Sequence, residues 1–529
     1  MFAFLGAIAA AATVSVGPGQ DFEDLLGVAD LLSDGDVVEV HAGTYSQQLD
    51  LYADVKFVAV DGPEVTILTG GHNEAMIRVY ADVTLDGFTI TSEYERHCIR
   101  VWEGNFVLAN GVVERCQPTD GLGGGLRSDP GTTVRIENTT FQNNITDHPA
   151  LPHIAAHVYS RSDSLEVYDS IFDNGVADDG AGEGLQGDGA SVYAINGVVR
   201  IERSSFTNNI AGDDAGGVYL FGGPTDAGVG YDFYTPGVYE FYLKDCLFVG
   251  NSSGDRGGAL FLSELPHAEI EHNTFIGNAA GYLGGAVYVD EGVGLHRFTN
   301  NVFSGNEAVS GGAVYLLGTD GAFRYNHFVD NSASDSGGAI GLQLSDASVV
   351  GNLFAYNSGA AAVLLKTGTL GALDYNLWFD TSLPIGGAPI GANDVEADPL
   401  FLAWSDDGDG TNDDLHFGSG SPGIDAGDLL DFDTDGSRAD IGAYGGEAIG
   451  TVPGGTTPPT EGTETSETSE TGGTTDPADP TADPGGDPPQ YDTPLAGAGC
   501  ACDQAATPSW MGLFALALIF RGRRPTARR

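Results

Sequence analysis

Lysine is almost missing from this chain: Lys56, Lys244 and Lys366 are the only three in 529 residues. Basic side chains number 21 against 75 acidic ones, for a formal net charge of −54. Five of the eighteen arginines fall after Phe520, so the body ahead of them is more acidic still. Such a surface repels nucleic acid and anionic lipid, which excludes both as partners of the body. It suits a solvated exterior protein, divalent cations or a salty medium. Amphipathic helical periodicity is also scarce, confined ahead of the C-terminus to Phe22 through Leu32, where a short helix is expected to cover the first turn. No nucleophile elbow, phosphate loop or dinucleotide fingerprint occurs.

What the chain has instead is a repeat. An apolar strand is followed by Asn-x-Phe-x-x-Asn-x-Ala, a short variable stretch, and Gly-Gly-Ala before an apolar residue and Tyr. IEHNTFIGNAAGYLGGAVYV from Ile270 and FTNNVFSGNEAVSGGAVYLL from Phe298 are two copies. The marker aromatics are Phe141, Phe172, Phe206, Phe248, Phe275, Phe303, Phe328, Phe354 and Trp378, with gaps that narrow from 31, 34 and 42 residues to 24–28. A period in this range denotes a solenoid. Each unit offers two or three runs, such as Ala286–Val289, Leu295–Phe298 and Asn301–Phe303, in the strand period and rich in Val, Phe and Tyr. Three short strands close one turn, and turns stacked at roughly 4.8 Å pair each strand with its equivalent in parallel. Parallel crossovers are right-handed, so the expected fold is an all-β, right-handed parallel β-helix of about thirteen turns between Val37 and Trp378. Phe over Phe fills the interior, Asn over Asn bonds along the axis at a bend where Asn tolerates left-handed dihedrals, and the Gly pair occupies a tight corner.

Ala42-Gly43-Thr44-Tyr45 resembles the opening of many pectate-lyase-like β-helix proteins, and the FxxN…GGA units resemble the repeats of chlamydial polymorphic outer-membrane proteins, which are autotransporter adhesins. The resemblance spans roughly 34 to 380. It implies fold more than activity, because this scaffold carries lyases, hydrolases, adhesins and inert stalks alike.

The expected organisation is a signal peptide over 1–12, ending Ala-Ala-Ala, a β-helix over 17–385, an Asp-rich capping module over 386–448, a disordered Thr/Pro/acidic linker over 449–493 and a sorting or anchor tail over 494–529. In that tail Cys500 and Cys502 precede an apolar Trp510–Phe520 and an arginine cluster. This order resembles the myxobacterial C-terminal sorting signal, which implies processing by a sorting protease near Cys500, with Cys502 second, and retention at the cell surface. The membrane is then met only through the tail.

Several residue groups could carry chemistry. The stretch 394–446 resembles the terminal module that follows β-helices in many anchored bacterial surface proteins. Its Asp406, Asp407, Asp409, Asp413 and Asp414, and again its Asp431, Asp433, Asp435 and Asp440, alternate with Gly. They suit a hard cation that takes roughly six to eight oxygens, calcium first, or else solvated turns closing the solenoid. The closing Glu of an EF-hand loop is missing. Trp404, Leu415, Phe417, Ile424, Ile441 and Tyr444 read as an apolar lid on the last coil.

A pectate-lyase-like enzyme needs a cationic base beside carboxylates that hold calcium. Asp213, Asp214 and Asp255, with Lys244 and Arg256, are the candidates, because stacked turns bring the three carboxylates to one face; solvated loops are the alternative. Tyr231, Phe233 and Tyr234 lie in the 221–242 insertion and are placed either to stack on a sugar or to pack a hairpin on the flank. His148, His153 and His157 have loose metal-like spacing, which reads as zinc or, for His157, as part of a strand. Of Cys98, Cys116 and Cys246, the first two stand about one turn apart, so in an exported protein they could bridge or remain thiols; Cys246 reads as a small buried hydrophobe. The functional expectation is a surface-anchored adhesion or envelope protein whose partner is a polysaccharide or cell-envelope surface. The alternatives are a calcium-dependent polysaccharide lyase or glycoside hydrolase on an acidic glycan, and a structural stalk.

Overall fold

The computed structural model describes residues 11–70, 75–92, 97–118, 120–146, 153–178, 187–195, 197–222, 240–292 and 294–444. The linker, Cys500, Cys502, Tyr231, Phe233, Tyr234 and His148 lie outside them, as does most of the expected signal segment.

Within that span the chain is a right-handed parallel β-helix. One repeat shows how: Val287–Asp290, Leu295–Thr299 and Val302–Ser304 are three strands of a single turn. Each pairs in parallel with its equivalent in the next turn, Val314–Leu317, Asp320–Arg324 and His327–Val329. Repetition builds a fourteen-stranded sheet from the third strands, and a twenty-five-stranded one in which the other two ladders are joined. The long strands Gly337–Val350 and Ala361–Asp374 make that join by running through both faces. A two-residue strand after each unit from Phe141 to Phe328 forms a further seven-stranded ladder.

Identical register piles like side chains into columns. Phe141 through Trp378 form one interior stack whose successive ring centroids lie 4.4–5.1 Å apart. Offset-stacked rings at this spacing add their mutual attraction to the burial of each face. The Gly pair turns the corner for two separate reasons. Gly284 takes φ +65°, and a Cβ on Gly285 would stand 2.1 Å from the carbonyl oxygen of Gly312 one turn on.

The Asn columns differ from expectation in their backbone. The left-handed residue is the one before each buried Asn, for example Asn208, Gly277, Gly305 and Asp330. The Asn that follows points inward. Asn278 donates its N–H and Nδ2 to Asn306 Oδ1 at 2.9 and 3.0 Å and also donates to the carbonyl of Phe248. A second ladder runs from Thr139 through Ser170, Ser204, Cys246, Asn273, Asn301, Asn326, Asn352 and Asn376 to Asp394, each side chain accepting the N–H of the rung before. Cys246 is therefore a rung as well as a buried hydrophobe: its thiol accepts from Ser204 N and donates to the Lys244 carbonyl.

Cys98 and Cys116 are joined by a disulfide. The expected helix over Phe22–Leu32 shrinks to one turn, Leu26–Ala29, with Leu25 and Val28 buried; Gly27 within it favours extended or turn backbone. From residue 400 to 444 the Asp-rich module covers the flank rather than the last coil. Its antiparallel strands Phe401–Ala403 and Asp414–Phe417 lie outside the fourteen-stranded sheet. There Leu415 and Ile441 pack on Val302, Val329, Leu353 and Leu377. The reason is that the outer face of this sheet turns apolar in the last turns and must be buried. The open coil end is closed by the front of the expected 386–448 module, ahead of its hairpin: Ala388 and Ile390 pack on the core, and Asp394 accepts from Trp378 Nε1 at 2.9 Å.

Candidate functional site

The coil places one residue of every turn five positions before the outer aromatic column Tyr159, Tyr193, Tyr219, Phe261, Tyr288 and Tyr315. In successive turns that residue is Ile154, Asp188, Asp214, Arg256, Leu283 and Ser310. Isolated parallel bridges at Leu122–Ile154, Arg256–Leu283 and Leu283–Ser310 hold the same column. Its outer members are mostly apolar. Over three consecutive turns it becomes Asp, Asp, Arg, and Asp213 and Asp255 flank it on the positions just before.

Backbone pairing fixes these groups. Gly189 N bonds the Asp214 carbonyl at 2.8 Å, Asp255 N the Asp213 carbonyl at 2.8 Å and Ala215 N the Arg256 carbonyl at 3.0 Å. Oxygens of Asp188, Asp213 and Asp214 all come within 4.8 Å of one another. Arg256 forks across two partners. It donates Nη2 to Asp214 Oδ2 at 3.0 Å and Nε to Asp255 Oδ2 at 3.0 Å, and its guanidinium lies 5.4 Å from the Tyr288 ring centroid. Tyr288 Oη donates to Asp290 Oδ2 at 3.3 Å, while Asp290 Oδ1 is buried without a hydrogen-bond partner.

Charge is crowded here. Burial and then Asp213 push the Asp188 carboxyl up to about 7. Burial pushes Asp214 up to about 8 even though Arg256 opposes it, with Asp188 and Asp213 adding to the rise. Asp213 and Asp290 are also raised, first by burial. Burial works to lower Arg256, but Asp214, Tyr288 and Asp255 outweigh it and hold the guanidinium firmly charged. At neutral pH the carboxylate group thus retains a proton that belongs to the set rather than to one member. The all-oxygen donor set also fits a hard cation such as calcium, which would displace that proton.

The sequence candidates separate accordingly. Asp213, Asp214, Asp255 and Arg256 are brought together. Lys244 is not: it ends the strand Glu240–Lys244 with an exposed side chain, in register between Glu202 and Glu271. Asp188 went unseen because no FxxN spacing marks its turn, although counting back from the Tyr column would have found it. In the Asp-rich module the carboxylates are occupied by turns. Asp407 accepts from Asp409 N, Asp409 from Thr411, Asp413 from Ser405 N, Asp433 from Asp440 N and Asp435 from Ser437. Among the described residues three carboxylates converge only at Asp188, Asp213 and Asp214.

His148 lies outside the described residues, and His157 is committed to the coil's own hydrogen bonds rather than to a metal. His157 Nδ1 accepts from Asn144 at 2.8 Å and Nε2 donates to Asn209 at 3.3 Å, while His153 Nδ1 meets the Thr146 carbonyl. His157 fills the rung that Gly175 leaves without a side chain, and a Cβ on Gly175 would stand 2.6 Å from its ring.

No protein family matches the chain, and no curated protein does. Solved structures are similar to it, two of them polysaccharide lyases by description. One is a crystal structure of pectate lyase Pel9A, at 12% identity and TM-score 0.32, over 82% of this chain and 96% of that one. The other is a rhamnogalacturonan lyase, at 12% identity and TM-score 0.28, over 75% of this chain and 91% of that one. Likeness at this level leaves the chemistry to be read from the chain's own residues.

Proposed function

We propose that this protein is exported to the cell surface and cleaves a polysaccharide hydrolytically on its flank, at Asp188, Asp213 and Asp214. The observation that carries the reading is the column that switches to Asp, Asp, Arg for three turns only. Glycoside hydrolysis asks for one carboxyl that keeps its proton at neutral pH and one that has lost it. A buried set sharing a proton supplies both: one member protonates the glycosidic oxygen while another attacks the anomeric carbon, and the first, now ionised, takes the proton of the water that later frees the sugar. Oxygens within 4.8 Å of one another suit this double displacement, which asks for carboxyls about 5–5.5 Å apart, rather than direct attack by a water held between them. Arg256 positions Asp214 and Asp255. It does not serve as the base of a lyase, because its two carboxylate partners hold its proton.

A panel of neutral, amino and uronate glycans, assayed for new reducing ends and for unsaturated products, tests this. New reducing ends without double-bond absorbance are expected. They should fall by at least about 100-fold in Asp214→Asn and Asp188→Asn, and activity should decline above about pH 8 as the shared proton leaves. Cleavage that persists in both variants would overturn the reading. The same three carboxylates support a second one: a calcium-bridged adhesive contact, which predicts glycan retention without turnover, abolished by chelation.

A further inference from the structure

Where the loop 405–413 folds back over the coil it roofs a cleft of about 370 Å³. This lies at the lower end of the roughly 300–1,000 Å³ typical of small-molecule sites. Its floor is backbone: Gly277 takes φ +59° with nothing within 4 Å of the place its Cβ would occupy. Its walls are Glu307 and Asp330 from the coil and Asp409 and Asp413 from the loop, and no Lys, Arg or His lines it. Asp409 and Asp413 each spend their Oδ1 on turns. Burial, then Asp406 and Asp413, raise the Asp330 carboxyl.

A second feature is independent of charge. Ser304 is 2% exposed, yet it lines the cleft with its hydroxyl turned toward Gly410, whose Cβ would stand 2.9 Å from Oγ. No group among the described residues is hydrogen-bonded to that hydroxyl. Its oxygen is open to the cleft, where it can accept one bond and donate another.

We propose that this cleft binds a small organic cation with two or more ammonium groups, of which a linear polyamine is the simplest. A compact metal ion is the poorer fit. It must sit roughly 2.3–2.6 Å from every ligand oxygen, and these carboxylates do not form a convergent set of three. Ammonium groups spaced along a flexible chain reach separated carboxylates one at a time, and one of their N–H bonds is available to Ser304.

Isothermal titration of the full chain with spermidine at physiological salt is the test, because ionic strength there screens loose condensation on the acidic surface to within about 8 Å. One saturable site is expected. Glu307→Gln with Asp330→Asn should weaken it at least tenfold and Ser304→Ala severalfold, while Asp54→Asn, far along the coil, should leave it unchanged. Calcium chloride at equal concentration should not compete. Absence of a saturable site, equal affinity in the double variant and in Ser304→Ala, or displacement by equimolar calcium would each overturn the proposal. None of these outcomes depends on glycan cleavage.

Discussion

At the scale of the residue, the fold depends on buried amides finding partners one turn away, and His157 is the place where that arrangement meets pH. It stands in for an Asn that Gly175 cannot supply and must stay neutral to accept from Asn144. Burial lowers its pKa to about 4, against 6.5 for a free imidazole, with Asn209 working weakly the other way. The unfolded chain therefore takes the proton first. Stability from this residue is complete above about pH 6.5 and declines as pH falls toward 4. Between pH 7 and pH 5 the loss from His157 alone is about 2 kcal/mol. His296 and His327, lowered by burial to about 4 and about 3, add to it in the same window. Asp188 and Asp214 oppose them, since their raised pKa values make protonation favour the folded state. The contribution is isolated by comparing urea midpoints of the wild type and His157→Gln at both pH values. The variant should lose less on acidification; an equal loss would show that His157 is not the titrating rung.

At the scale of the element, the module 400–444 is held by an apolar strip and a few polar clasps. Asp431 accepts a hydrogen bond from Tyr325 Oη at 2.6 Å and pairs with Arg324, and His327 Nδ1 accepts from Ala443 N. Arg324 and Asp431 are each a third or more exposed, so Asp431→Ala should cost only about 1–2 kcal/mol, most of it from the Tyr325 bond. Because local opening governs cleavage of a docked segment, limited proteolysis within the hairpin should speed up about fivefold or more while the coil's unfolding midpoint stays put. A coil that unfolds earlier instead would mean the module is integral to it. This element also shows where the sequence was legible. Phe spacing, the Gly pairs and the strand period are local signals, and they placed the turns and the Phe column correctly. The docking face was present as a weaker signal: outward positions of the third strand change from Thr140, Gln142, Ser205 and Thr207 to Val302, Val329, Leu353 and Leu377. Alternation there gives way to apolar residues on both faces, which marks a covered sheet. Asp188 was hidden for a different reason. Its neighbours in space are 25 or more residues away along units of unequal length, so only the Tyr register aligns them.

At the scale of the whole molecule, a coil converts sequence identity into proximity, and this applies to charge as much as to Phe or Asn. Asp34, Asp54 and Asp82 stack at one corner because each donates the backbone geometry the next needs: Asp54 N bonds Asp34 Oδ1 at 3.1 Å and Asp82 N bonds Asp54 Oδ1 at 3.0 Å. The hydrogen bonds require an oxygen acceptor, not a charge. Two unit charges about 4.8 Å apart repel by roughly 0.9 kcal/mol even in bulk water. That spacing is well inside the Debye length of about 10 Å at 0.1 M salt, so physiological salt screens it only in part. With a net charge of −54, similar repulsion is distributed along the entire body. The unfolded chain spreads these charges apart, so the folded state carries more of the penalty. The urea midpoint should therefore climb as sodium chloride rises from about 0.05 M to about 0.5 M, where the screening length shrinks to near the ladder spacing. Asp54→Asn keeps the amide oxygen as acceptor while removing the central charge of the stack. It should raise the midpoint at low salt by a fraction of a kcal/mol, and that gain should vanish at high salt. If the variant is destabilised at every salt concentration, the carboxylate is needed for its charge and the stack is a bound-cation site instead of a tolerated repulsion. A midpoint that falls with salt would show that the ion pairs of the coil, such as Arg78 with Asp50 and Arg203 with Asp169, outweigh the excess of acid.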